Sequence, residues 1–241
     1  MCTVSFIPVG STFFLSSNRD EKLSRKNALV PSVHEHNGVN FIFPKDANAG
    51  GTWIAAKENG DAAVILNGAF INHVAEPPYR RSRGLILLDI LADEKPSAAF
   101  SKIDLGNIEP FTIILFEQKS LFEFRWDGIE KYSKQLSTRN AYIWSSATLY
   151  DGLTILKREK WFENFLQQHI LPSQQTVFDF HRFSGDGDCT NDLLMSREGE
   201  YQTLSITSIE LSNTKTKIQY LNLKENKTYH YEAFFNTEVL K

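Results

Sequence analysis

The sequence predicts an α+β fold built on hairpin-linked antiparallel sheets. Three observations carry this. Segments of period-two alternation and segments of helical period come in runs, in the order strands, helices, strands, helices, strands. The strand runs are broken by short turns rich in Gly, Pro, Asn and Asp, as hairpins require. The regular strand–helix alternation of a doubly wound parallel sheet is missing.

Each element follows from local pattern. Cys2, Val4 and Phe6 alternate with Thr3, Ser5 and Ile7, which is a strand. Pro8-Val9-Gly10-Ser11 turns it into a second strand over 12–17, and the hairpin brings Asn18-Arg19-Asp20 back beside Cys2. Strands follow at 39–43, 52–57 and 62–66, with Glu58-Asn59-Gly60-Asp61 as the turn between the last two. Ser82 caps a helix carrying Leu85, Ile86, Leu88 and Leu91, and Pro96 opens a shorter one. Strands return at 111–116, 121–126 and 142–145, with Asp127-Gly128 as a turn. A long helix over 153–169 is expected to bury Leu156, Phe162, Phe165, Leu166 and Ile170. A shorter helix fits 174–183. Residues 202–232 supply two or three closing strands, one with Ile218 and Tyr220 on one face and Gln219 and Leu221 on the other.

No repeat, low-complexity stretch or linker interrupts the 241 residues, so one domain over 1–241 is expected. A net charge of −3 argues against a nucleic-acid partner. No apolar run is long enough to insert stably in a membrane, and the first residues do not read as a secretory signal. Two cysteines are too few for a disulfide framework and fit a reduced, cytoplasmic chain. No metal or other cofactor is expected.

Cys2 carries the most chemistry. Removal of Met1, general when the second residue is small, leaves an α-amine and a thiol on one residue. An α-amine titrates at about 7.7–8.0 and takes the thiol proton, giving the thiolate that attacks a carbonyl. The same residue also reads as a small buried residue starting an edge strand. Asp20 could hold the α-ammonium or the thiol proton, and Arg19 could bind an anionic substrate or stabilise the fold. A solvated turn is the other reading of 18–21. Asn67, at the end of an apolar strand and before Gly68, suits an oxyanion-hole donor or an ordinary Asn-Gly turn. His34 and His36 share a strand face but read as surface histidines, and His181 with Cys189 is a weak nucleophile–base pair. Arg80, Arg81 and Arg83 could bind a carboxylate or phosphate or line a solvated turn. Phe70, Trp53 and Trp144 could line an apolar pocket or pack in the core.

Together these residues resemble a known family. Met1-Cys2-Thr3-Val4, Asn18-Arg19-Asp20-Glu21 with Arg25, Gly50-Gly51-Thr52-Trp53, Asn67 and Ser82-Arg83-Gly84 stand in the order of the NRDE family, also called the transport and Golgi organisation two family. The match covers roughly the first 90 residues well. That family is similar to cysteine N-terminal nucleophile hydrolases of the choloylglycine-hydrolase and acid-ceramidase type. The resemblance implies a four-layer αββα sandwich, Cys2 as nucleophile, Asp20 as its aspartate and Asn67 in the oxyanion hole. Asn18 fits an asparagine two places before that aspartate, and Asn18, Arg19, Trp53 and Arg83 are the expected substrate contacts. A second family asparagine is replaced at Ser145-Ser146, so Ser146 stands in its place, and Arg197 is the position for a late arginine. Two functions follow. One is cleavage of a linear, non-peptide amide of a small molecule through a Cys2 acyl-enzyme. The other is a non-catalytic carrier, on the same fold, that binds and moves haem, acyl-CoA or a lipid.

Overall fold

A computed structural model describes residues 3–197 and 199–234. The chain begins with β1 (Thr3–Val9), β2 (Thr12–Lys22), β3 (Leu29–His36), β4 (Val39–Lys45), β5 (Ile54–Lys57) and β6 (Ala62–Asn67). Helices α1 (Arg83–Leu91) and α2 (Pro96–Lys102) precede β7 (Phe111–Glu117), β8 (Ser120–Trp126), β9 (Lys131–Leu136) and β10 (Tyr142–Ser145). Helices α3 (Gly152–Gln168) and α4 (Gln174–Phe183) lead into β11 (Ser196–Arg197), β12 (Tyr201–Leu211), β13 (Lys215–Asn222) and β14 (Lys227–Phe234).

The strands form two antiparallel sheets. The first has the order β10-β1-β2-β12-β13-β14, with β11 pairing β12. The second is a meander from β3 to β9. Period-two alternation decides the layering. Val4 and Phe6 point between the sheets, where Phe6 and Phe13 pack on Phe116 of the second sheet at 5.9 and 4.7 Å between ring centres. Ile7 and Phe14 point the other way and bury Phe162, Phe165, Val177 and Phe180 of α3 and α4. Ile86, Leu87, Ile90 and Leu91 of α1 and Phe100 of α2 join the core on the second sheet. The result is the expected α+β, four-layer αββα sandwich.

Capping follows the sequence reading. Ser82 accepts from Leu85 N at the head of α1, and Pro96 stands in the first turn of α2. Ile218 and Tyr220 join the core between the sheets, while Leu221 packs on the helix side.

The structure corrects several expectations. Strand β2 does not stop at residue 17; it runs to Lys22, so Asn18, Arg19, Asp20 and Glu21 are buried strand residues rather than a turn. Asn18 pairs with both β1 and β12, and Arg19, Asp20 and Glu21 pair with β12, so sheet pairing carries the strand on despite their polarity. Strands β3 and β9 are additions. Both are edges of the second sheet, and their exposed polar positions hide the strand pattern. Helix α3 does not bury Leu156 or Ile170, which are exposed; its buried positions are Thr154, Arg158, Phe162 and Phe165. Phe70 is exposed rather than core. No helix of the described residues is long and apolar enough to cross a membrane.

Candidate active site

The start of β1 lies between two neighbours of the first sheet and near the end of β6 in the second. Thr3 pairs with Asn18 on one side and with Ser145 on the other. The next residue on β10's side, Ser146, is buried, and its hydroxyl donates to the Asn67 carbonyl at 2.9 Å. The next on β2's side, Arg19, lines a cavity of about 350 Å³ together with Asn67, Trp53 and Arg83. Cys2 itself lies outside the described residues.

Alternation sorts the Asn18–Glu21 segment onto two faces. Arg19 stacks over the Trp53 ring, 4.6 Å from its centre, and Arg19 Nη2 reaches Asp46 Oδ2 at 2.7 Å. Arg25 Nε converges on the same oxygen at 3.2 Å. The other oxygen of Asp46 accepts from the Asn48 and Ala49 amides at 2.9 and 2.8 Å. Burial alone would raise this carboxyl. The Ala49 N–H and the Arg25 and Arg19 guanidiniums outweigh burial and hold it below the usual carboxylate range.

Two glycine-bearing motifs build the opposite wall. Gly51 and Gly84 lie against each other: a Cβ on Gly84 would stand 2.5 Å from the Thr52 carbonyl oxygen, and one on Gly51 would stand 2.6 Å from the Gly84 carbonyl carbon. Thr52 Oγ1 lies 2.8 Å from the Pro44 carbonyl of β4 and 2.9 Å from the Ile54 carbonyl of β5, its single proton serving the two. The contact places Arg83, at the head of α1, on the cavity. Arg83 binds Glu109 at 2.9 Å and the Pro110 carbonyl at 3.1 Å. The buried Trp53 Nε1 has no acceptor among the described residues.

The other face of β2 looks toward α3 and α4. Asp20 is fully buried and accepts from Tyr150 Oη and Thr203 Oγ1, both at 2.6 Å. Asn18 donates to the His181 and Leu193 carbonyls at 2.9 and 2.7 Å, and its own carbonyl meets His181 Nδ1. Its amide is thus committed within the protein, on the face away from the cavity. His181 Nε2 meets Ser5 Oγ at 2.7 Å. Burial, aided by Arg158, pushes the His181 pKa down to about 3.

The structure therefore brings Arg19, Trp53, Asn67 and Arg83 to one cavity, with Ser146 bound to Asn67 behind it. Asp20 and Asn18 sit on the reverse of the same strand. Arg197 is outside the cavity, over the Tyr150 ring at 5.5 Å and bonded to Thr190 and Asn191. The remaining candidates separate. Cys189 is exposed, and His181 is engaged by Ser5 and Asn18 instead. His36 binds Asp89 at 2.7 Å and His34 meets Ser32 at 3.0 Å. Arg81 lines the cavity and also holds Asp89, whereas Arg80 binds the backbone at Asp104 and Gly106. Trp144 donates to Glu123. Sequence reasoning missed Tyr150, Arg158 and Thr203. Arg158 left a signal, since it interrupts the apolar stripe of α3 between Thr154 and Phe162.

A family model, Transport and Golgi organisation 2, matches residues 1–221. The chain belongs to this family. No curated protein matches the chain by sequence. Solved structures similar to this family member include a Caenorhabditis elegans orthologue of N-acylethanolamine-hydrolysing acid amidase. It is 12% identical with a TM-score of 0.60, over 86% of this chain and 92% of that one. Two variants of the conjugated bile acid hydrolase from Clostridium perfringens are also similar. The cysteine-to-alanine variant is 8% identical with a TM-score of 0.61, over 99% and 97% of the two chains. The arginine-to-leucine variant is 9% identical with a TM-score of 0.62, over 96% and 92%. At these identities the likeness shows the shared fold alone.

Proposed function

We propose that the protein is an N-terminal cysteine amidohydrolase that cleaves a linear, non-peptide amide of a small molecule. One observation carries the reading: the residue joined to Thr3 is Cys2, and Thr3 is flanked by the strands that bring Arg19 and Ser146–Asn67 to the cavity. The named activities of the structural neighbours, N-acylethanolamine hydrolysis and conjugated bile acid hydrolysis, agree with amide cleavage on this fold.

In this reading, Met1 is removed and the α-amine of Cys2 takes the thiol proton. The thiolate attacks the amide carbonyl, and the Asn67 amide with a backbone N–H binds the oxyanion. The C–N bond breaks as the protonated amine returns its proton to the leaving nitrogen. Water then attacks the thioester, giving the acid and restoring the thiol. Arg19, Arg83 and the spare indole N–H of Trp53 supply donors for a carboxylate or carbonyl elsewhere on the substrate. The cavity lies near the lower end of the roughly 300–1,000 Å³ range of small-molecule sites, which favours a small amide over a whole haem.

The test is turnover on a panel of N-acyl amines and N-acyl amino acids. Cys2→Ala should keep its melting temperature and lose turnover. Asn67→Ala should lose about 10²–10³ in kcat, as for a missing oxyanion donor. Equal turnover by wild type and Cys2→Ala overturns the reading. A saturable Soret shift with haemin that Cys2→Ala abolishes, without turnover, would favour the carrier instead.

A further inference from the structure

We propose that Tyr150 and Thr203 are positioning residues: they fix the Asp20 carboxylate at the end of β2 beside the start of β1, and so set the reactivity of Cys2. This rests on the reading of Cys2 as the nucleophile.

Asp20 is fully buried, and among the described residues its carboxylate has no ion-pair partner. A buried carboxylate without partners is costly, so its donors decide where it points. Two hydroxyls do this, one on each oxygen, each at 2.6 Å. A carboxylate has about four acceptor sites, so capacity remains for a further donor such as an α-ammonium. Asp20 lies two residues past Asn18, on the same face, and Asn18 is the partner of Thr3. The carboxylate therefore belongs to the stretch of β2 beyond the first described pair of β1.

Both donors are themselves held. The Met195 N–H donates to Thr203 Oγ1 at 3.0 Å, which orients that hydroxyl and leaves its proton for Asp20. Strand β12 carries a bulge between Thr203 and Ser205, opposite Asp20 and Arg19. Bulges re-aim side chains and are over-represented next to active sites. Tyr150 lies under the Arg158 guanidinium, 3.6 Å from its ring centre. Arg158 is fully buried, is tied to the Asn191 and Asp192 carbonyls, and donates to Thr3 Oγ1. One contact chain, Thr3–Arg158–Tyr150–Asp20, thus joins the first described residue of β1 to the carboxylate. Burial and then the Asp20 charge push the phenol well above its ordinary pKa, so Tyr150 remains a donor throughout the working range.

A purely structural network would lower the melting temperature without moving a titration. The experiment is the rate of Cys2 alkylation by iodoacetamide against pH, in a Cys189→Ser background. Wild type is compared with Asp20→Asn, Tyr150→Phe, Thr203→Val and Thr203→Ser, at a temperature where circular dichroism shows all to be folded. Asp20→Asn should move the pH–rate profile. Tyr150→Phe and Thr203→Val should move it in the same direction, with at least a threefold rate change at the wild-type midpoint. Thr203→Ser, which keeps the hydroxyl, should restore the wild-type profile. If Asp20→Asn shifts the profile while Tyr150→Phe and Thr203→Val overlay the wild type, the positioning role is wrong and the nucleophile reading stands. If all variants overlay the wild type, and Cys2 labels like an ordinary thiol, both are wrong.

Discussion

His181 shows how tightly single residues are specified beneath the candidate site. Both amide hydrogens of Asn18 go to carbonyls, so its oxygen must accept, and His181 Nδ1 must carry the proton. Nε2 is then an acceptor for the Ser5 hydroxyl. The ring is neutral in the fold, with its pKa pushed down to about 3, against about 6.5 when unfolded. Below pH 6.5 the unfolded chain binds a proton that the folded chain refuses. Stability from this group is therefore complete above pH 6.5 and is lost as pH falls toward 3, by at most about 1.4 kcal/mol per pH unit. Urea titrations from pH 7 to pH 4 should show this slope, and His181→Gln should flatten it. An unchanged slope in His181→Gln would mean that another group is responsible. None of this network is legible from Asn18 or His181 alone. They are 163 residues apart, and only the long-range pairing of β2 and packing of α4 bring them together.

At the scale of elements, legibility follows the environment of each segment. Strand β1 declares itself by alternation, β6 by a short apolar run closed by Asn67, and α1 and α2 by Ser82 and Pro96. The edge strands β3 and β9 do not, because solvent on their exposed positions removes the apolar signal. The Gly50-Gly51-Thr52-Trp53 and Ser82-Arg83-Gly84 motifs are visible as sequence, but their reason is the backbone contact between Gly51 and Gly84, a tertiary fact. Gly84→Ala should cost about 1–3 kcal/mol, since the Thr52 backbone must move to admit a Cβ. That corresponds to a fall of about 2–12 °C in Tm for a chain of this size. Gly152→Ala is the control: no atom lies within 4 Å of its Cβ position, and its Tm should hold or rise slightly. A Gly84→Ala protein as stable as the control would mean that the α1 contact yields without cost.

At the scale of the molecule, the sandwich separates what holds the layers from what lines the cavity. Phe116 pairs with Ala62 across β6 and β7, whereas Asn67 pairs with Phe111 at the other end of the same ladder. The Phe6–Phe13–Phe116 cluster thus joins the two sheets away from the Asn67 end. Phe116→Ala removes a nearly buried ring from this cluster and should cost about 3–5 kcal/mol, combining lost transfer energy with the cavity left behind. Because both sheets share that core, far-ultraviolet and near-ultraviolet circular dichroism should lose signal together, in one transition at lower denaturant. Well below that transition, the pH profile of Cys2 alkylation should match the wild type, since none of the residues around the start of β1 is touched. Separate transitions would show that the sheets are not held by this cluster. A shifted alkylation profile would show that the packing of the sheets reaches along β6 to the site itself.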